Sequence, residues 1–195
     1  MVSQNLYHQD HGQGHIESWP ANRIKLVPAE RHARQLRREQ SEYSNIWQAL
    51  DAVHDPEIPV LSIWEMGILQ NVDVAQGKVI VTITPTYSGC PAMDVIREDI
   101  ESALAEAGFD RCEVAVKLSP AWTTDWMTEN SKVKMRRYGI AIASDKSSSK
   151  HHDNIICPNC ESSNTMMLSE FGSTACKALM KCNDCLEPFD YFKKI

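Results

Sequence analysis

Residues 78–108 read KVIVTITPTYSGCPAMDVIREDIESALAEAG, and this stretch decides the fold. In its first part Val79, Val81 and Ile83 alternate with Lys78, Thr82 and Thr84, the period-two pattern of a half-buried strand. In its last part Met93, Ile96, Ile100, Ala103, Leu104 and Ala107 recur at helical spacing. Pro91 suits the first turn of that helix, Asp94 favours its dipole, and Gly108 stops it. A strand thus feeds a helix through the loop Thr84-Pro85-Thr86-Tyr87-Ser88-Gly89, with Cys90 at the junction.

Upstream, ILQNVDV (68–74) is a second strand, joined to the first through Ala75-Gln76-Gly77 as a β-hairpin. Before it, SEYSNIWQALDAVHD (41–55) places Ile46, Trp47, Leu50 and Val53 on a helix face, with Ser41 or Ser44 as its cap. Pro56 and Pro59 forbid that helix to continue. Downstream, RCEVAVKL (111–118) is a third strand with Val114, Val116 and Leu118 on one face. Cys112 shares their parity and is expected in the core. SPAWTTDWMTENSKVKMRRYG (119–139) gives a loop and a last helix capped by Thr123 or Thr124. The order α-β-β-α-β-α predicts an α+β domain over 41–143, helices packed on a small mixed sheet.

Two polar stretches flank it. Residues 1–40 hold His8, His11 and His15 in a Gly/Gln-rich context and read as a flexible extension. If Arg31, Arg34 and Arg38 lie on a helix there, their shared face is expected in solvent. Residues 144–153, SDKSSSKHHD, read as a linker. No stretch approaches the length of a membrane span, and residues 1–30 carry no apolar signal core. The chain is therefore expected to be cytoplasmic, where its seven cysteines stay reduced. The net charge of −6 weighs against nucleic acid, whose binding draws on cations at phosphates.

Residues 154–195 are too few to build much of a core unaided. Cys157-Pro-Asn-Cys160 and Cys182-Asn-Asp-Cys185 supply the staple, since two CxxC turns bring four thiolates to one ion. That set suits structural zinc in a β-ribbon, and an iron–sulfur cluster would use the same ligands. With all four positions filled by protein, the metal is not catalytic, and His151 and His152 are not needed as ligands. The ribbon is itself acidic, and Phe189, Tyr191 and Phe192 are not interleaved with a basic stripe, so it is not read as a nucleic-acid module. Cys176 lies outside both turns. Lys177 beside it would help it ionise; otherwise it is a packed thiol without a role.

Cys90 occupies the N-terminus of the best helix, where backbone N–H groups would lower a thiol pKa. It is a candidate nucleophile or soft-metal ligand, the alternative being a cysteine merely tolerated at a cap. Asp55 and Glu57 flank Pro56 and could hold a cation or cap the next turn. No phosphate loop, nucleophile elbow, HExxH or dinucleotide fingerprint is present, so no catalytic residues are assigned and no independent enzymatic activity is expected.

HDPEIPVLSIWEMGILQNVDV with VIVTITPTYSGCPAMDVIREDIESAL resembles the MIP18-like (DUF59) domain of iron–sulfur cluster assembly factors. CPNCESSNTMMLSEFGSTACKALMKCNDCLEPFDYFKK resembles the zinc ribbon of its PaaD branch, the D-type components of phenylacetyl-CoA epoxidases. The likeness spans about residues 43–195. It implies an accessory subunit in phenylacetate degradation that assists iron or iron–sulfur assembly in the oxygenase and reductase subunits. A docking subunit with no metal-transfer role is the alternative, and a homodimer would let two chains share a cluster. By the same resemblance Cys90 is the iron- or cluster-transfer thiol. Asp55, Glu57, Thr84 and Thr86 are its supporting loops, and Cys176, in FGSTACK, is a possible second thiol.

Overall fold

The computed structural model describes residues 29–142 and 155–194. The predicted linker, His8, His11, His15, His151 and His152 lie outside them. The fold is α+β: a small mixed sheet with helices, followed by a second small sheet that carries a C-terminal cysteine cluster.

In chain order the elements begin with α1 (Ala29–Glu39), α2 (Ser44–Leu50), β1 (Leu69–Ala75) and β2 (Lys78–Ile83). There follow α3 (Ala92–Glu106), β3 (Cys112–Val116), a single 3-10 turn (Thr124–Trp126) and α4 (Glu129–Arg137). The second sheet is built from β4 (Ile140–Ile142), β5 (Thr165–Ser169), β6 (Lys177–Cys182) and β7 (Pro188–Phe192).

The first sheet has the order β1-β2-β3, with β1 antiparallel and β3 parallel to the central β2. The hairpin closes as its sequence demands: Gln76 (φ 53°) and Gly77 (φ 71°) both take left-handed backbone, as the tight turn matching strand twist requires. The crossover helix α3 then returns the chain so that β3 lies parallel to β2. Gly108 (φ 86°) ends α3 by donating to Ala105 O at 2.9 Å while the Phe109 N–H reaches Leu104 O at 2.8 Å. Val79, Val81 and Ile83 are buried with Ile46, Trp47 and Leu50 of α2 and Ile96, Ile100 and Leu104 of α3. Each such side chain contributes roughly 1.5–3 kcal/mol by leaving water.

Several sequence expectations are corrected. Residues 29–39 are not a tail but α1, packed along β1 and the 3-10 turn. The shared arginine face faces inward: Arg34 is buried and donates to Leu69 O at 3.3 Å and Trp126 O at 2.8 Å. Arg31 reaches Met127 O and Glu129, each at 3.1 Å, and Arg38 grips Asp51 with both nitrogens. Spacing revealed the face, but the partners that bury it lie up to 98 positions away. On β3, Cys112 and Val114 are half-buried, whereas Val116 and Leu118 are exposed, because this strand forms an edge. The helix caps also move. Tyr43 precedes α2 without a side-chain cap; Thr123 caps only the 3-10 turn, and Thr128 caps α4 by accepting from the Ser131 N–H at 3.1 Å.

The second sheet, ordered β4-β7-β6-β5, begins earlier than residue 154. β4 follows α4 directly and pairs in parallel with β7, Ile140 opposite Asp190 and Ile142 opposite Phe192. The two modules also share a core. Phe192 is fully buried in the core of the first module and meets Trp122 edge-on at 5.9 Å, while the Trp122 indole donates to Met66 O at 3.0 Å.

Candidate functional site

The four ribbon cysteines converge as their spacing predicts. The sulfurs of Cys157, Cys160, Cys182 and Cys185 all lie within 4.8 Å of one another, with 3.8 Å between Cys157 and Cys185 and 3.5 Å between Cys160 and Cys182. A tetrahedral ion with bonds of about 2.3 Å separates its sulfurs by roughly 3.8 Å, so the donor set fits zinc. Each CxxC is followed by a residue in left-handed backbone, Glu161 (φ 61°) and Leu186 (φ 66°), which gives the two turns the same bend. Cys185 N–H and the Asn159 side-chain amide donate to cluster sulfurs, fixing their orientation. When bound, the metal supplies a crosslink between the two turns; the site has no open position for a substrate.

A second constellation lies where the modules meet. The FGSTACK loop, residues 171–177, folds over the Asp55 turn and the Cys90 loop. Asp55, Glu57, Thr86, Cys90, Cys176 and Lys177 line one cavity of about 20 Å³. Gly172 permits this loop: its N–H donates to Lys177 O at 2.8 Å, and a Cβ there would stand 3.2 Å from the Asp190 carboxylate. Lys177 then closes the fold, buried at 4 % exposure between Glu57 (3.8 Å) and Asp190 (3.6 Å).

Asp55 resolves its two sequence readings in favour of a cap. Its Oδ1 accepts from the N–H groups of Glu57 (2.8 Å) and Ile58 (2.9 Å), and its own N–H is held by Leu61 O. Burial still pushes its carboxyl above the usual range, against those two hydrogen bonds. Glu57 faces Lys177 instead, so the pair does not act as one chelate.

Cys90 is half-buried just outside α3, because Pro91 already takes helical backbone and the helix starts at Ala92. The expected lowering of its pKa is overturned. Burial raises it, with Asp55 adding to the rise, and the Ala92 N–H and Thr86 hydroxyl only partly offset this. Cys176 is buried, 3.1 Å from the Thr174 hydroxyl, and burial raises its thiol too. Both are therefore neutral thiols at neutral pH. Thr84 does not join them; it lines a separate cleft of about 350 Å³ with Arg37, Gln70, Thr82 and Lys117. Lys177 is the member that sequence reading underused, since nothing in its own segment shows that it would be buried against Glu57.

Comparison with known proteins agrees with this division. Residues 44–116 match the family described as iron-sulfur cluster assembly protein, and residues 141–193 match the PaaD zinc beta ribbon domain. The protein provisionally named as the D-type component of the 1,2-phenylacetyl-CoA epoxidase of Escherichia coli is 46 % identical over 151 residues, covering 77 % of this chain and 92 % of that protein. The chain belongs to the PaaD family. A Fe-S protein maturation auxiliary factor of Porphyromonas gingivalis is 37 % identical to this PaaD-family chain, over 47 % of it and 88 % of the relative. A DUF59 domain structure from Bacillus anthracis overlaps 53 % of the chain and 95 % of its own at 23 % identity and a TM-score of 0.44. The PaaD ribbon match begins at residue 141, inside β4, in accord with the ribbon's extra strand. Among the described residues no helix is long and apolar enough to cross a membrane.

Proposed function

We propose that this PaaD-family chain is an accessory maturation subunit of a phenylacetyl-CoA epoxidase, handing iron or an iron–sulfur cluster to the oxygenase or reductase partner. Cys90 is the transfer thiol, and the ribbon metal is structural zinc. The observation that carries this reading is the position of Cys90: half-buried, beside Asp55 and Thr86, in a cavity at the junction of the two modules. A neutral thiol resists oxidation better than a thiolate does and becomes a ligand when a soft cation displaces its proton. The names of the E. coli and P. gingivalis relatives supply the system and the class of cargo.

The test is metal and acid-labile sulfide analysis of anaerobically purified protein, wild type beside Cys90→Ser, with the iron content of co-expressed partner subunits. One zinc per chain in both, with iron lost from chain and partners only in Cys90→Ser, is the expected result. Partners that reach full iron content with Cys90→Ser would overturn the transfer role and leave a docking subunit.

A further inference from the structure

Two thiols from separate modules face one cavity. Cys90 comes from the loop between β2 and α3, Cys176 from the FGSTACK loop of the ribbon, and both line the same cavity, where Cys176 adds to the upward push on the Cys90 thiol. No reading of either module alone brings them together. The wall carries Asp55 and Glu57, with the buried Lys177 ammonium 3.8 Å from Glu57, so Asp55 is the carboxyl not already matched by a lysine. Among the described residues the ribbon cluster is the only group of three or more His, Cys, Asp or Glu side chains placed to hold an ion. The seat therefore offers two soft donors and leaves the remaining coordination positions to exchangeable ligands. Its volume of about 20 Å³ has room for one ion or one water and not for a [2Fe–2S] cluster.

We propose that Cys90 and Cys176 of one chain together hold a single soft divalent ion between the two modules, so that transfer needs one protomer rather than a thiol from each of two. That the ion is iron rests on the function proposed above; the pairing of the thiols rests on the geometry. Each thiol releases its proton to solvent as its Sγ–metal bond forms, so one dication entering frees two protons, and no electron moves. Delivery reverses this as an acceptor's ligands replace the two sulfurs.

The experiment measures thiol protection in zinc-loaded full-length protein under anaerobic conditions. Alkylation of each cysteine is followed by peptide mass, with one equivalent of Cd²⁺ or Fe²⁺ added, and Cys112 serves as the internal control. Retained ribbon zinc in every variant reports that the fold is intact. Both ions are expected to slow Cys90 and Cys176 together and leave Cys112 unchanged. In Cys176→Ala, which suits that buried position, and in Cys176→Ser, the ion concentration needed to protect Cys90 rises on the order of 10²-fold, the scale of losing a tethered second ligand. Protection of Cys90 that survives unchanged in both Cys176 variants, or wild-type thiols that neither ion protects, overturns the pairing. Joint protection by Cd²⁺ but not Fe²⁺ sustains the pairing and overturns iron as the cargo.

Discussion

Arg34 sits 1 % exposed, its guanidinium 4.3 Å from the Trp64 ring centroid and bonded to two carbonyl oxygens. Burial, with Arg31, Arg37 and Arg38 nearby, pushes its pKa down to about 9, which still leaves a cation at neutral pH. A planar fork is needed to meet both carbonyls and the ring at once, so Arg34→Lys is expected to lose about 2 kcal/mol in urea unfolding. Arg34→Ala, which also leaves a cavity and unpaired carbonyls, is expected to lose about 3–4 kcal/mol. Equal stability of wild type and Arg34→Lys would show that the fork geometry is irrelevant. Glu65 gives a pH signature of opposite origin. Partial burial would raise its carboxyl, but Lys134, the Ser62 N–H and Asn130 together hold it below its ordinary 4.5. A depressed carboxylate stabilises the fold above its unfolded pKa and loses that contribution as pH falls through the folded one. Glu65→Gln should therefore be less stable than wild type at pH 7, with the gap closing below pH 4.5. A gap independent of pH would point to packing instead.

At the level of elements, what the sequence disclosed follows the range of the forces involved. The alternation of Val79, Val81 and Ile83 and the stop at Gly108 are local, and the strand and helix stand where those residues put them. Caps were less legible, because several threonines compete. Thr123 spends its hydroxyl on a weak 3.4 Å contact with Asp125 N–H, after which extended backbone at Met127 and Thr128 restarts the helix. Thr128→Ala is accordingly expected to cost about 1 kcal/mol and Thr123→Ala clearly less, compared by thermal unfolding. The reverse order would mean that the 3-10 turn, not α4, is the element that depends on its cap. The inward face of α1 was illegible for a different reason. Arg31, Arg34 and Arg38 have the spacing of a solvated stripe, and only the distant Trp64, Leu69, Trp126 and Asp51 make it a packed one.

Across the whole molecule, the ribbon supplies part of the wall of the Cys90 cavity as well as the four-cysteine staple. The four-cysteine set was readable from spacing, but the meeting of Cys176 with Cys90 was not, since it depends on how one module docks on the other. That docking has three parts: Phe192 against Trp122, β4 shared through β7, and Lys177 between Glu57 and Asp190. All three hang on strands β6 and β7; Cys182 ends β6 and Cys185 lies in the turn that joins them. Removing the ribbon metal returns protons to the cysteine sulfurs, which lie within 4.8 Å of one another, and takes away the crosslink between the two turns. Strand β6 runs from Lys177, at the wall of the Cys90 cavity, to the metal-site residue Cys182, so loosening of the turns is expected to reach that wall. Chelation of the metal is thus expected to raise the alkylation rate of Cys90 and Cys176 at least severalfold, before the first module unfolds as followed by tryptophan fluorescence. Re-addition of zinc should restore the slow rate. If Cys90 reacts equally fast with and without ribbon metal, the ribbon does not cover the thiol, and the two modules act independently despite their shared core.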